Sequence, residues 1–167
     1  MKTLYLCRHA KSSWSVAGMS DFDRPLNERG LRNAPFMANL LKDRVERVDA
    51  IVTSPANRAL TTAQAFATAL DIPVARFTED RAIYHADRST LVHVVNNLPN
   101  NAQRVLLFGH NPGFSELLFH LADAGVRVMP TCGLARIDFA LDDWGAVARN
   151  TGNLVWFDYP KNHSGQE

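Results

Sequence analysis

Arg8 and His9 follow directly on the apolar run Thr3 to Cys7. His110 comes just after a second apolar run, Arg104 to Phe108. Arg58 stands shortly after a third, Asp49 to Thr53, where the chain turns through Ser54-Pro55. Two guanidinium groups and two imidazoles at the ends of apolar runs suit anion chemistry, because guanidinium forks match phosphate oxygens. Other chemistries fit less well. No Ser-His-Asp arrangement and no Walker-type glycine loop is visible. Cys7 and His9 lack the acidic or cysteine partners that would complete a zinc set, and two arginines beside a metal ligand would repel the cation. What remains is a phosphoryl group handled by arginines, with a neutral histidine able to attack it. Taken singly, Arg58 reads as a solvated residue of a first helical turn and His110 as an ordinary turn residue. Their joint position at strand ends favours a site.

The elements that would position these residues alternate. Strands are expected at Thr3 to Cys7, Asp49 to Thr53 and Arg104 to Phe108, with a short extended piece at Val74 to Phe77. Two further strands read at Ala135 to Leu141 and Asn153 to Tyr159. Between them lie helical patterns. One is capped by Asn27 and interrupted by Pro35. One runs to about Leu70 with Ser54 as its N-cap and Pro55 in its first position. A third covers Ser89 to Leu98, and a fourth starts at Asn111-Pro112. The alternation argues for an α/β sandwich on a mostly parallel sheet, and such sheets bind ligands at the carboxyl ends of their strands. Arg58, in the first turn of its helix, would lean back over that edge.

The 167 residues are 46% hydrophobic and 21% charged, which suits one globular domain with its own core. We place that domain at residues 1–160 and read the polar segment 161–167 as a frayed tail. The net charge of +1 gives no footprint for nucleic acid. No secretory signal or membrane-length run is present, and the two cysteines, Cys7 and Cys132, are no disulfide framework. The chain reads as a soluble protein of a reducing cytoplasm, without a nucleic-acid or membrane partner.

The segments LCRHAKSSW, DFDRPLNERG, VTSPANRALTTAQ and LFGHNPGFSELL, in that order, resemble the histidine phosphatase superfamily, the phosphoglycerate-mutase-like fold. Within it they are similar to the small SixA-type phosphohistidine phosphatases, over residues 3 to about 158. The resemblance implies a three-layer α/β/α sandwich and a phosphohistidine intermediate on His9. It implies phosphate clamping by Arg8 and Arg58, with His110 helping to bind the phosphoryl group. No metal or organic cofactor is implied. The glycine common after Arg-His is Ala10 here, as in many SixA-type members.

One further departure bears on substrate. Relatives that cleave esters supply a glutamate after the third strand to protonate the leaving group, and none stands at the obvious place here. Glu79, Asp80, His85 and Asp87 are candidates, and none is compelling. A phosphohistidine substrate has imidazole as its leaving group, which takes a proton readily near neutral pH, so a donor-poor site suits it. The first reading is therefore a phosphatase acting on phosphohistidine of a phosphorelay or related protein in signal transduction. The second is a broader phosphomonoesterase for small metabolites or phosphoproteins. The third is a phosphate-binding module without turnover, which would have no need for His9. The loop Lys11 to Asp23 reads equally as a substrate rim or as an ordinary packed loop. His93 and His120 read as structural.

Overall fold

The computed structural model of the chain describes residues 1–123 and 125–164. Its centre is strand β1, Lys2–Arg8, in which every residue from Lys2 to Cys7 is buried. Alternation along the strand sends Leu4 and Leu6 into one apolar cluster and Tyr5 and Cys7 into the other. Each such buried side chain stabilises the fold by roughly 1.5–3 kcal/mol. β1 also has a neighbour on each edge. It pairs in parallel with β4, Arg104–Gly109, and antiparallel with β5, Leu134–Phe139. A strand held on both faces and both edges gives the residues at its end a rigid base.

Six strands form one sheet in the order β3-β2-β4-β1-β5-β6, with β2 at Ala50–Thr53, β3 at Phe77–Glu79 and β6 at Gly152–Asp158. The pairings β3·β2, β2·β4 and β4·β1 are parallel, while β5 joins β1 and β6 antiparallel. Helices α1, Glu28–Arg44, and α2, Asn57–Ala69, cover the face that Tyr5 and Cys7 enter. Helices α3, Arg88–Asn96, and α4, Gly113–Ala122, cover the other. This is the expected α/β/α sandwich on a mostly parallel sheet. Among the described residues no helix is long and apolar enough to cross a membrane.

Several local expectations are corrected. Ser54 does not cap α2: the helix starts at Asn57, with Ala56 as its cap residue and no side-chain cap bond. The Ser54 hydroxyl is directed elsewhere, accepting from the Ala56 amide at 3.2 Å and meeting His110 at 2.8 Å. The fourth helix likewise begins later, at Gly113, although the Asn111 side chain still accepts the Ser115 amide at 3.2 Å. Val74–Arg76 is a 3-10 turn, and only Phe77–Glu79 extends as an edge strand. Pro35, expected early in the helix or at a kink, lies within α1, which runs on to Arg44. Of the segment expected to fray, residues up to 164 are described. Pro160–His163 forms a 3-10 turn, and His163 Nε2 lies 2.9 Å from both oxygens of Asp158, itself paired with Arg44 at 2.7 Å. Residues 165–167 lie outside the described residues.

The loop leaving β1 is fixed against α1. Asn27 donates its amide to the Lys11 carbonyl at 2.9 Å and caps the helix by accepting from the Gly30 amide at 2.9 Å. A Cβ at Gly30 would lie 2.2 Å from that same Lys11 oxygen, which is backbone and has little room to move. Gly30→Ala is expected to destabilise the fold by about 1–3 kcal/mol through overpacking. Urea unfolding measures this, and an unchanged midpoint would show that the loop after β1 is not held by this contact.

Candidate active site

The backbone of Arg8 and His9 continues the sheet. The Arg8 amide donates to Gly133 at 3.1 Å and the His9 amide to Gly109 at 3.0 Å, while the Cys132 amide meets both of their carbonyls at 3.0 Å. The His9 ring is then oriented by its neighbour, with Nδ1 lying 2.7 Å from the Ala10 carbonyl oxygen. A carbonyl only accepts, so Nδ1 carries the hydrogen and Nε2 keeps its lone pair. Burial lowers the His9 pKa to about 3, with Arg58, Arg8 and Arg24 adding to the shift and the Ala10 bond opposing it. The ring is neutral at pH 7 with its free nitrogen among cations.

Arg58, the second residue of α2, is 4% exposed. Its Nη1 donates to the Asp21 carbonyl at 2.6 Å and its Nη2 to the Asp21 carboxylate at 3.0 Å. Asp21 opens a 3-10 turn, Asp21–Asp23, in the loop between β1 and α1. Its carboxylate also accepts from Arg24 at 2.9 Å and from the Tyr84 hydroxyl at 2.7 Å. Partial burial pushes the Asp21 pKa up. Hydrogen bonds from Tyr84, Arg24 and Arg58 outweigh it and hold the carboxyl below the usual carboxylate range. Helix α2 reaches the loop after β1 as well: Thr62 Oγ1 accepts from the Ala10 amide at 3.0 Å and donates to the Arg58 carbonyl at 2.7 Å.

His110 follows β4, and its ring centroid is 5.2 Å from that of His9. Its Nε2 is 2.8 Å from Ser54 Oγ, whose hydroxyl can donate to it; the neutral ring then carries its hydrogen on Nδ1. Burial lowers the His110 pKa to about 3, helped by His9, Arg58 and His85 and opposed by Asp21. Arg8 donates Nη1 to the Met129 carbonyl at 2.9 Å, and burial followed by the charge of Arg58 lowers its pKa. Among the described residues, Arg8 Nε and His110 Nδ1 are buried without a hydrogen-bond partner. Buried polar atoms without partners are costly. An anion between these groups would accept from both and ease the repulsion between the two guanidiniums.

The four residues singled out from sequence therefore meet in one cleft of about 260 Å³, which Lys11, Ser12, Trp14, Arg24 and His85 also line. The four candidate acids separate. His85 lines the cleft, with its Nε2 3.3 Å from the Asp21 carboxylate. Glu79 and Asp80 line a different groove beside α3, and Asp80 caps a turn by accepting from the Ala82 amide at 2.9 Å. Asp87 caps α3, accepting from Thr90 at 2.8 Å. Of the loop Lys11 to Asp23, Trp14 is 76% exposed at the cleft and stacks on Arg24 at 3.3 Å, while Phe22 packs edge-on against Tyr84 at 5.1 Å. Asp21, Arg24, Thr62 and Tyr84 were not singled out from sequence, and Ser54 was read only as a helix cap. Asp21 and Arg24 lie in the irregular segment DFDRP, which carries no period to say which of its charges turns inward.

The sequence profile of the histidine phosphatase superfamily (branch 1) matches residues 4–81. An uncharacterized protein of Mycobacterium tuberculosis is 35% identical over 164 residues, covering 92% of this chain and 99% of that one. Among solved structures, a chain assigned as the phosphohistidine phosphatase SixA of Agrobacterium tumefaciens is 32% identical. It superposes with a TM-score of 0.80 over 95% of this chain and 98% of its own. A mycobacterial glucosyl-3-phosphoglycerate phosphatase, 16% identical, shares the fold with a TM-score of 0.68, over 96% of this chain and 100% of its own.

Both site histidines are expected to stay neutral well below the usual imidazole range, which NMR titration of the ring signals reads directly. A transition near pH 6.5 for His9 or His110 would contradict the account of burial among cations. Stability carries the same sign. The unfolded chain takes up protons on these rings near pH 6.5, whereas the folded chain takes them up only near 3. Unfolding therefore binds protons between those values, and this contribution to stability is lost as pH falls from about 6.5 towards 3.

Proposed function

This chain belongs to the histidine phosphatase superfamily, and from that premise we propose that it removes phosphate from phosphohistidine on another protein, through a phosphohistidine of its own at His9. The observation that carries the reading is the His9 ring, neutral, with Nδ1 engaged by Ala10 and Nε2 left as the attacking atom. Arg8, Arg58 and His110 surround the place where the phosphoryl group would sit. In the first step the bond from phosphorus to the substrate nitrogen breaks as a bond to His9 Nε2 forms, and the departing imidazole takes a proton. In the second, water cleaves phospho-His9 and releases inorganic phosphate. The transition state of each step is loose, so positioning and charge supply most of the acceleration.

The first step exchanges one phosphoramidate for another and is nearly balanced in energy. The rim also suits a group presented on a protein surface. Trp14 is 76% exposed, and the His85 side chain is 64% exposed, so both flank the cleft without roofing it. The likeness to a chain assigned as SixA supports the same substrate class. A second reading, phosphomonoester hydrolysis, is favoured by one observation: an imidazole, His85, lines the cleft.

The test is a substrate panel of a phosphohistidine-bearing protein, a phosphoserine peptide and small phosphate esters. The phosphohistidine protein is expected to turn over fastest, and faster cleavage of alkyl phosphates would overturn the assignment of substrate. Arg58→Ala is expected to lower kcat about a hundredfold or more, roughly 3 kcal/mol of transition-state stabilisation. A loss of less than tenfold would remove Arg58 from the phosphate clamp.

A further inference from the structure

We propose that His85 is the proton donor to poor leaving groups, so that the same cleft also hydrolyses alkyl phosphate esters. This rests on His9 being the phosphoryl acceptor. His85 leaves the 3-10 turn Arg81–Ile83 with a left-handed backbone, φ 54°, which swings its side chain to the cleft that Glu79, Asp80 and Asp87 do not line. Its ring packs on Tyr84 with centroids 4.0 Å apart and lies 6.4 Å from the His110 ring. Its Nε2 faces the Asp21 carboxylate at 3.3 Å. That contact holds the ring at the rim of the cleft, and imidazole is a common proton-transfer group in catalysis. The groups facing His85 are Asp21, the Tyr84 hydroxyl bonded to the same carboxylate, His110, and Arg58 and Arg24 beyond Asp21. At 64% exposure the side chain is open to solvent and to a substrate entering over the rim.

The step balances. As His9 Nε2 forms its bond to phosphorus, the ester P–O bond breaks and its electron pair stays on the departing oxygen, which takes the proton of the His85 imidazolium. Neutral His85 then accepts a proton from the water that attacks phospho-His9, and the imidazolium is restored for the next turnover. Phosphate and an alcohol leave, and no other reactant is consumed. Positioned proton transfer of this kind contributes about 10²–10⁴-fold. The contribution grows with the basicity of the leaving oxygen, which gives the residue a signature that a packing role lacks.

The experiment compares wild type with His85→Asn, since asparagine tolerates the left-handed backbone, and with His85→Gln as a second variant. Each is assayed on 2-glycerol phosphate, whose alkoxide needs a proton, and on p-nitrophenyl phosphate, whose leaving group departs without one. The loss in kcat/KM on 2-glycerol phosphate is expected to exceed the loss on p-nitrophenyl phosphate by tenfold or more in both variants. Equal losses on the two esters would overturn the proposal, because a misplaced loop harms both alike. Hydrolysis of p-nitrophenyl phosphate by wild type with none of 2-glycerol phosphate would also overturn it, while leaving the reading of His9 intact. Absence of any phosphoenzyme and of turnover on every substrate would instead sink the underlying reading.

Discussion

The hydrogen bond from His9 Nδ1 to the carbonyl of Ala10 decides which nitrogen of the ring is bare, and much of the surrounding structure serves to hold that carbonyl still. Ala10 is fully buried and gives its own amide to Thr62 on α2. The next carbonyl, of Lys11, receives the Asn27 amide and is closely approached by Gly30 on α1. The peptide that fixes the imidazole is therefore anchored to both helices of one face of the sheet. On its other side, β1 is bound by β4 and β5, so the backbone that carries the ring is fixed at the end of the sheet.

Electrostatics gives this placement its chemical use. Two guanidiniums approach each other around two histidines that burial keeps neutral. The arrangement costs stability, since like charges are gathered and two buried nitrogens, Arg8 Nε and His110 Nδ1, lack partners. Such strain concentrated at one place is what a phosphoryl group would relieve. Asp21 offsets part of it by pairing with Arg58 and Arg24 at once, and in doing so aligns Arg58. The same carboxylate reaches Tyr84 and His85, so one residue links Arg58 to the rim of the cleft.

The core of this site was legible because it sits on strong periodic signals. The apolar run before Arg8 marks a central strand, the run before His110 marks its parallel neighbour and the run before Ser54 the strand beyond that, so topology alone gathers Arg8, His9, Arg58 and His110. Ser54 was misread because its hydroxyl had two plausible duties. A helix cap is a local preference, whereas the contact with His110 joins residues 56 apart and has no local mark. Asp21, Arg24 and His85 lie on loops whose paths are set by stacking and left-handed backbone, not by any repeating pattern. The short edge strand β3 shows the same limit: its three residues carry too little pattern to be told from the turn before it.

The central claim is that Nε2 of His9 accepts the phosphoryl group. The direct measurement is to trap the phosphoenzyme rapidly from a phosphohistidine donor and locate the phosphorus by nitrogen–phosphorus coupling in NMR of ring-labelled protein. The account predicts a single phosphoimidazole, on Nε2 of His9, with Nδ1 still bearing its hydrogen. Phosphorus on Nδ1 of His9, on His110 or on any other side chain would contradict it.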